Sequence, residues 1–196
     1  MKTSDLSCVS RAMISTAAIV LFAGCAAAIG EPGAEDADEL SSACQPRVPP
    51  ALAVPAGNKL AFVYDATGVQ IYGCDATATG YGWVFRAPEA KLYGHKGKPA
   101  GTHYAGPTWE ANDGSKVVAA KLAESPAGPN DIPLLLLGAA SHAGKGRMSD
   151  VTFIHRLETV GGKAPIGGCD ATHVGETIGV DYAATYYFYE ARGKKK

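Results

Sequence analysis

One stretch of the sequence gathers most of the side chains that could do chemistry. It runs from His103 to Ser115, HYAGPTWEANDGS, and supplies an imidazole, two carboxylates and a hydroxyl. Glu110 and Asp113 could act as general acid or base beside His103, as the site of a hydrolase requires. His173 lies in a later loop, and loops present side chains freely to a site. The sequence therefore offers His103, Glu110, Asp113 and His173 as catalytic candidates.

The same stretch supports two other interpretations. Tyr104 and Trp109 could stack on a sugar or another flat ligand, which would make them ligand-binding candidates. Alternatively the stretch is an ordinary hairpin, with His103 and Glu110 on strands, residues 112–114 as the turn and Trp109 in the core. We favour the hairpin.

A short sequence motif that occurs twice suggests a possible cation site. Cys-Asp-Ala-Thr-x-x-Gly begins at Cys74 and again at Cys169, so Asp75 and Asp170 could share a metal ion. Turn formation through side-chain hydrogen bonds of the two aspartates is the favoured explanation. The sequence contains no HExxH, GxSxG, GxxxxGK[ST], GxGxxG or CxxC motif. We expect no cofactor.

Composition limits the class of protein. The 196 residues suit one domain, and 46% are hydrophobic, which suffices for a core. The net charge of −1 gives no basic excess, so a nucleic-acid partner is not expected. The 24 glycines and 12 prolines are spread along the chain, as in a fold of many short strands.

Sequence patterns typical of β-strands occur throughout the last two-thirds of the chain. In residues 178–190 apolar and aromatic residues alternate, with Ile178, Tyr182 and Tyr186 among those on the predicted inner face. Parity along residues 151–157 also predicts that His155 points inward. Leu134–Leu137 suits a buried strand or a helical turn equally well. We predict an all-β, single antiparallel sandwich or barrel-like domain, with at most one short helix near residues 116–140.

The first 25 residues have the layout of an export signal. A polar start with Lys2 and Arg11 precedes an apolar run of about a dozen residues, too short for a permanent membrane span. The run ends in LFAGC, similar to the lipobox of bacterial lipoproteins, which predicts lipid attachment at Cys25. Ordinary secretion with cleavage near residues 26–28 is the alternative.

A spacer separates this signal from the domain. Residues 26–50 hold five acidic residues, one basic residue and few large apolar side chains, so we expect a disordered acidic tether. The β domain is assigned to residues 51–192 and a short basic tail to residues 193–196. In this layout the protein contacts the membrane through the lipid at Cys25.

Three cysteines remain outside the signal once Cys25 is assigned to the lipid. Cys74 and Cys169 both lie in the domain beside strands, which favours a disulfide between them. A bridge from Cys44 that fastens the tether to the domain is the competing possibility, because spacing does not decide connectivity.

Several motifs together resemble a known family. They are GVQIY-x-C ending at Cys74, YAGPTW with DGS up to Ser115, VTFI-x-RL with TVGG up to Gly162, and GCD followed by YYFY up to Tyr189. In their order they are similar to the secreted family known as domain of unknown function 3455, over about residues 50–192. The resemblance implies one exported domain with Cys74 paired to Cys169. It implies no reaction, since the family has no assigned activity.

These observations lead to one expected role and two alternatives. We expect an exported, lipid-anchored envelope domain that binds an envelope polysaccharide or small ligand without catalysing a reaction. The first alternative is a secreted hydrolase that uses His103, Glu110 and Asp113. The second is a purely structural envelope module.

Overall fold

The computed structural model describes residues 45–193. This part of the chain forms eight strands and two short 3-10 turns, and it contains no α-helix. The all-β prediction is therefore confirmed. The turns are η1 (Pro50–Leu52) and η2 (His95–Gly97). The strands are β1 (Asn58–Thr77), β2 (Gly80–Tyr93), β3 (Pro99–Tyr104), β4 (Thr108–Ala111), β5 (Lys116–Ser125), β6 (Leu134–Ala143), β7 (Val151–Gly161) and β8 (Thr177–Ala191).

The sheet closes on itself. Each strand pairs antiparallel with the next in sequence order, and β8 pairs back with β1, which gives a closed barrel. Closure leaves no free sheet edge in the ring. Of the two predicted architectures, sandwich and barrel, the barrel is the one that forms.

The inner face of the barrel carries the main core. On β8 the residues Tyr182, Ala184, Tyr186 and Phe188 are all buried in it, as the alternation predicted. The Phe188 ring stacks on Phe62 of the paired strand β1, with ring centroids 4.5 Å apart. The interior is therefore filled largely by aromatic side chains.

A second apolar cluster lies on the outer face. Leu52 of η1 packs with Leu136, Leu157, Tyr187 and Tyr189, so both faces of the wall are buried there. Val48, which the sequence assigned to the tether, also packs against this cluster.

The short helix that the sequence allowed near residues 116–140 does not form. That segment forms β5 and the start of β6. Leu135 and Leu137 face the barrel interior, whereas Leu136 packs under η1 on the outer face. The leucine run does not alternate with polar residues because both of its faces are buried.

A bulge in β7 changes which residues face inward. The register with β8 shifts between Val151 and Phe153. Because of this shift, Arg156 pairs with the interior residues Leu135 and Tyr186. His155 is buried as predicted, but it lies under η1 on the outer face: its Nε2 donates to the Leu52 carbonyl at 2.6 Å.

Loops of one end of the barrel are joined by a disulfide. Cys74 on β1 is bonded to Cys169, in the loop before β8. We call this end, with the loops 105–107, 126–133 and 162–176, the disulfide end. The β1–β2 hairpin continues past the last β1–β8 pair as a two-stranded ribbon.

Several predictions fall on residues outside the described part of the chain. They are the signal, the lipid site Cys25, most of the tether including Cys44, and the last three lysines of the tail. Among the described residues no helix has the length and apolar character needed to cross a membrane.

Candidate functional site

His103 is buried within the barrel. It is 3% exposed, its ring stacks on Trp109 at 4.2 Å between centroids, and its Nδ1 donates to the Thr108 carbonyl at 2.8 Å. Burial lowers the pKa of His103 to about 3, and the hydrogen bond to Thr108 opposes this only in part. The imidazole is therefore neutral at physiological pH.

Glu110 is held by its neighbours on adjacent strands. Its carboxylate accepts a hydrogen bond from Tyr104 Oη at 2.8 Å and forms a salt bridge with Lys116 Nζ at 2.9 Å. The hydrogen bonds from Lys116 and Tyr104 lower the pKa of Glu110. Tyr104, a ligand-binding candidate, thus uses its hydroxyl in this contact.

Asp113 shapes the turn between β4 and β5. It accepts hydrogen bonds from the Ser115 backbone at 2.9 Å, from Ser115 Oγ at 2.5 Å and from the Arg147 backbone at 2.7 Å. The hydrogen bonds, above all that of the Ser115 side chain, lower the pKa of Asp113. These contacts join the turn to the β6–β7 loop.

His173 and the two repeated aspartates lie at the disulfide end. His173 Nδ1 is 2.7 Å from Asp170 Oδ1, and this hydrogen bond raises the pKa of His173. Asp75 instead pairs with Arg86 on the ribbon at 2.6 Å. Within residues 45–193 no three His, Cys, Asp or Glu side chains are grouped so that they could hold a metal ion.

The four catalytic candidates are not brought together by hydrogen bonds. Among the described contacts, His103, Glu110, Asp113 and His173 each bond to a different set of partners. His103 is inside the barrel, while the other three belong to surface turns or strands.

A group of polar side chains lies in the barrel interior instead. Four buried polar atoms make no hydrogen bond of good geometry with any described group. Their residues are 4% exposed or less. The atoms are Gln70 Nε2, Trp109 Nε1, Tyr182 Oη and Tyr186 Oη, and we call their residues the interior polar cluster.

The members of the cluster surround Tyr186. The Trp109 and Tyr186 rings are 5.3 Å apart between centroids, in an edge-to-face arrangement. Tyr182 lies four residues before Tyr186 on the same face of β8, and the two phenols affect each other's pKa. Burial raises the pKa of both, so both hydroxyls keep their protons at neutral pH.

Arg156 adds a positive charge beside the cluster. Its Nε and Nη2 donate to the Pro133 carbonyl at 3.1 and 2.9 Å. No carboxylate of the described residues forms a salt bridge with it. The guanidinium is near enough to Tyr182 and Tyr186 to oppose the rise of their pKa values.

The segment before β6 covers the cluster at the disulfide end. Thr159 Oγ1 donates to the Ile132 carbonyl at 2.7 Å, and Ile132 itself is buried in the core. Tyr72 Oη donates to the Gly162 carbonyl at 2.6 Å. Gly162 has φ of +82°, and a Cβ there would lie 2.8 Å from Tyr182 Cβ, so only glycine fits this position.

A comparison with protein families agrees with this architecture. The model of the family described as "Protein of unknown function (DUF3455)" matches residues 55–190. The chain belongs to the DUF3455 family. The resemblance inferred from the sequence motifs is thus confirmed. No curated protein and no solved structure matches the chain.

The DUF3455 match covers the whole interior polar cluster and Arg156. Chemically, the cluster consists of hydrogen-bond donors set in an apolar, aromatic interior. Such a set can hold an acceptor group of a ligand. It does not contain the paired carboxylates or the nucleophile–base pair that acid–base or covalent catalysis requires.

Sequence reasoning found only part of this DUF3455 site. Trp109 was a ligand-binding candidate, but Gln70, Arg156, Tyr182 and Tyr186 were not. The alternation of β8 already placed both tyrosines inward, and that was the available signal. Arg156 had no such signal, because the β7 bulge reverses the parity that would place it outside.

Proposed function

We propose that this chain is an exported envelope protein whose barrel binds a small ligand in its interior and does not catalyse a reaction. The observation that carries the proposal is the interior polar cluster, whose four buried polar atoms make no hydrogen bond of good geometry with the described residues and lie close to one another. Small eight-stranded barrels either fill their interior with side chains or hold one small ligand. Side chains fill much of this interior, but the donors that they bury without acceptors of good geometry favour the second use.

The free-energy cost of burying these polar atoms supports a role for them in function. A buried donor without an acceptor costs about 1–3 kcal/mol relative to a satisfied one. Contacts among Gln70, Tyr182, Tyr186 and Arg156 offset part of this cost, but none of them has good hydrogen-bond geometry. A ligand with acceptor atoms would remove the remaining cost when it binds, which favours a binding role over a purely structural one.

The hydrolase alternative receives less support. His103 is neutral, stacked on Trp109 and bonded to Thr108. Glu110 and Asp113 are occupied by Lys116 and Ser115. An acid and a base for one reaction need to reach the same substrate atom, and these contacts direct the groups to different places.

Export and lipid attachment rest on the sequence and gain support from the disulfide. Bridges such as Cys74–Cys169 persist in oxidising compartments and are rare in the cytosol. A lipid at Cys25 would fix the domain to the membrane through the acidic tether. The barrel would then meet envelope polysaccharides or small ligands outside the cytoplasm.

The binding proposal is tested by native mass spectrometry of the purified chain. We expect a non-covalent adduct that disappears on denaturation, and its mass identifies the ligand. Tyr186→Phe removes a cluster hydroxyl and should weaken retention of the adduct. Tyr189→Phe, which removes a hydroxyl on the outer face, is the matched control and should retain it. An adduct unaffected by Tyr186→Phe would place the ligand elsewhere, and no adduct from any source would remove the proposal.

The export proposal has a separate test. Labelled palmitate should be incorporated into the chain, and Cys25→Ser should abolish both the label and membrane fractionation. Continued labelling of the Cys25→Ser variant would overturn the assignment of the lipid to Cys25.

A further inference from the structure

Arg156 is the feature of the interior that packing alone does not explain. It is partly buried, and its strand partners Leu135 and Tyr186 both belong to the interior core. No described carboxylate forms a salt bridge with it. Charges taken out of water are normally paired, because desolvation costs several kcal/mol. The exposed carboxylate of Glu124, whose pKa Arg156 helps to lower, forms no salt bridge with it, so a cation without a bonded anion here suggests that a ligand supplies one.

The geometry of the guanidinium leaves one edge for such a partner. The Pro133 carbonyl accepts from Nε and Nη2, which is one edge of the planar group. No described carboxylate forms a salt bridge with the other edge, formed by Nη1 and Nη2, and the guanidinium lies close enough to the Tyr186 hydroxyl to oppose the rise of its pKa. Two parallel N–H groups on one edge match the two oxygens of a carboxylate.

The remaining members of the cluster point to the same chemistry. The Trp109 indole nitrogen and the Gln70 amide nitrogen can only donate hydrogen bonds. The hydroxyls of Tyr182 and Tyr186 can donate as well. A site of donors beside a cation recognises an acceptor-rich anion and rejects a second donor or a cation.

We propose that the barrel interior binds a small molecule through a carboxylate group, which Arg156 pairs with while Tyr186, Tyr182, Gln70 and Trp109 donate hydrogen bonds to the ligand. This inference rests on the proposed function and specifies the ligand class. A carboxylate carries one negative charge, equal to the one charge of the guanidinium. A phosphate monoester carries about −1.5 to −2 at pH 7, and its second charge would have no partner here.

Entry of the ligand requires movement at the disulfide end. The four polar atoms are out of contact with solvent, so the segment 126–133 has to shift before a ligand reaches them. Arg156 and Thr159 hold this segment through the Pro133 and Ile132 carbonyls. Because the carboxylate uses the other edge of the guanidinium, the segment can return to its contact between Arg156 and Pro133 once the ligand is inside.

The test uses Trp109 as the reporter. The chain has two tryptophans, so Trp83→Phe leaves Trp109 as the only indole. The full-length chain with this change is titrated with benzoate and, separately, with benzamide, its neutral match in size and shape. Sodium chloride keeps the ionic strength constant. We expect saturable fluorescence change with benzoate, and a Kd for benzamide that is at least about tenfold higher.

Arginine variants identify the partner of the carboxylate. Arg156→Gln should raise the benzoate Kd at least about tenfold, and Arg156→Lys, which keeps the charge, should raise it less. Arg86→Gln removes an exposed guanidinium of β2, which pairs with Asp75, and should leave the Kd unchanged. If Arg156→Gln does not fold, Tyr182→Phe is the substitute and should also weaken benzoate.

The outcomes separate this inference from the proposed function. If benzamide binds as tightly as benzoate, or if benzoate binds the Arg156→Gln variant as tightly as the unmodified chain, the claim that Arg156 pairs with a ligand carboxylate is overturned. The proposal of a ligand in the barrel interior would remain. The inference also fails if chloride produces the same fluorescence change, or if neither probe binds. In the last case an adduct in native mass spectrometry still supports the proposed function, and its absence removes both.

Discussion

Arg156 on β7 and Tyr186 on β8 are directly paired, and both belong to the inner face of the barrel. Tyr186 is fully buried and its hydroxyl has no partner of good geometry among the described residues. The guanidinium is partly buried and forms no salt bridge with a described carboxylate. A guanidinium without a salt bridge next to a phenol without a hydrogen bond of good geometry is unusual in the middle of a protein core. This pair is the basis for regarding the interior as a binding site.

Removal of single hydroxyls tests whether the cluster is unsatisfied. In the ligand-free chain, Tyr186→Phe should change the free energy of unfolding by less than about 1 kcal/mol, because the hydroxyl makes no hydrogen bond of good geometry. Tyr189→Phe loses the 3.0 Å hydrogen bond to His155 and should lower the free energy of unfolding by about 1–2 kcal/mol. Urea denaturation of both variants provides the measurement. Equal destabilisation by the two substitutions would mean that the Tyr186 hydroxyl has a partner.

The sequence was most informative where residue type alternates along a strand. The alternation in residues 178–190 predicted β8 and the inward side of Tyr182, Ala184, Tyr186 and Phe188, while Tyr187 and Tyr189 lie on the outer face and are buried there. The four leucines at 134–137 show no alternation, because Leu135 faces the interior while Leu136 is covered by η1. A strand buried on both faces has no period of two, so helix and strand could not be separated.

Backbone irregularities account for the other differences. β1 continues without a break through Gly68, where the lack of a Cβ allows β2 to approach closely: a Cβ there would lie 2.1 Å from the Glu89 carbonyl oxygen. The β7 bulge brought Arg156 to the inner face and placed His155 outside. Bulges depend on tertiary packing, and a single sequence does not mark them.

The disulfide should contribute a large part of the stability. Cys74 and Cys169 are 95 residues apart, and the chain-entropy model gives about 4–5 kcal/mol for closing such a loop. The double variant Cys74→Ala with Cys169→Ala should lose about that much in chemical denaturation. Cys44→Ala is the matched control and should leave the bridge intact. Peptide mapping that found Cys44 joined to Cys74 or Cys169 would contradict the assignment.

Stability should depend on pH through the buried His103. Its pKa is about 3 in the folded chain and near 6.5 when unfolded. Between these values the unfolded chain binds the additional proton, so stability falls as the pH is lowered from 6.5 towards 3. The slope from this group is at most about 1.4 kcal/mol per pH unit. His155, whose pKa burial also lowers, acts in the same direction.

A variant separates His103 from the other titrating groups. His103→Asn keeps a donor near the position of Nδ1 but does not titrate, so the slope between pH 4.5 and 6.5 should decrease. Urea denaturation at several pH values measures it. A slope identical to that of the unmodified chain would show that His103 does not control this dependence.

The exposed pair of His173 and Asp170 at the disulfide end provides an independent test of the structure. The hydrogen bond from Asp170 raises the pKa of His173, so Asp170→Asn should lower the pKa of that imidazole. Asp75 is the equivalent residue in the other copy of the Cys-Asp-Ala-Thr motif, and it pairs with Arg86. Asp75→Asn should therefore have no effect on the pKa of His173. NMR titration of the His173 ring follows both variants. A His173 pKa that is the same in Asp170→Asn as in the unmodified chain would exclude the pair in solution.

The most direct test of interior binding is a crystal structure of the purified chain at a resolution that distinguishes ordered water from a small molecule. The account predicts non-protein density of a small molecule inside the barrel, within hydrogen-bond distance of the Tyr186 hydroxyl and the Trp109 indole nitrogen. After a benzoate soak, the carboxylate should lie against Arg156. Water molecules alone around all four cluster atoms, with and without benzoate, would contradict the account.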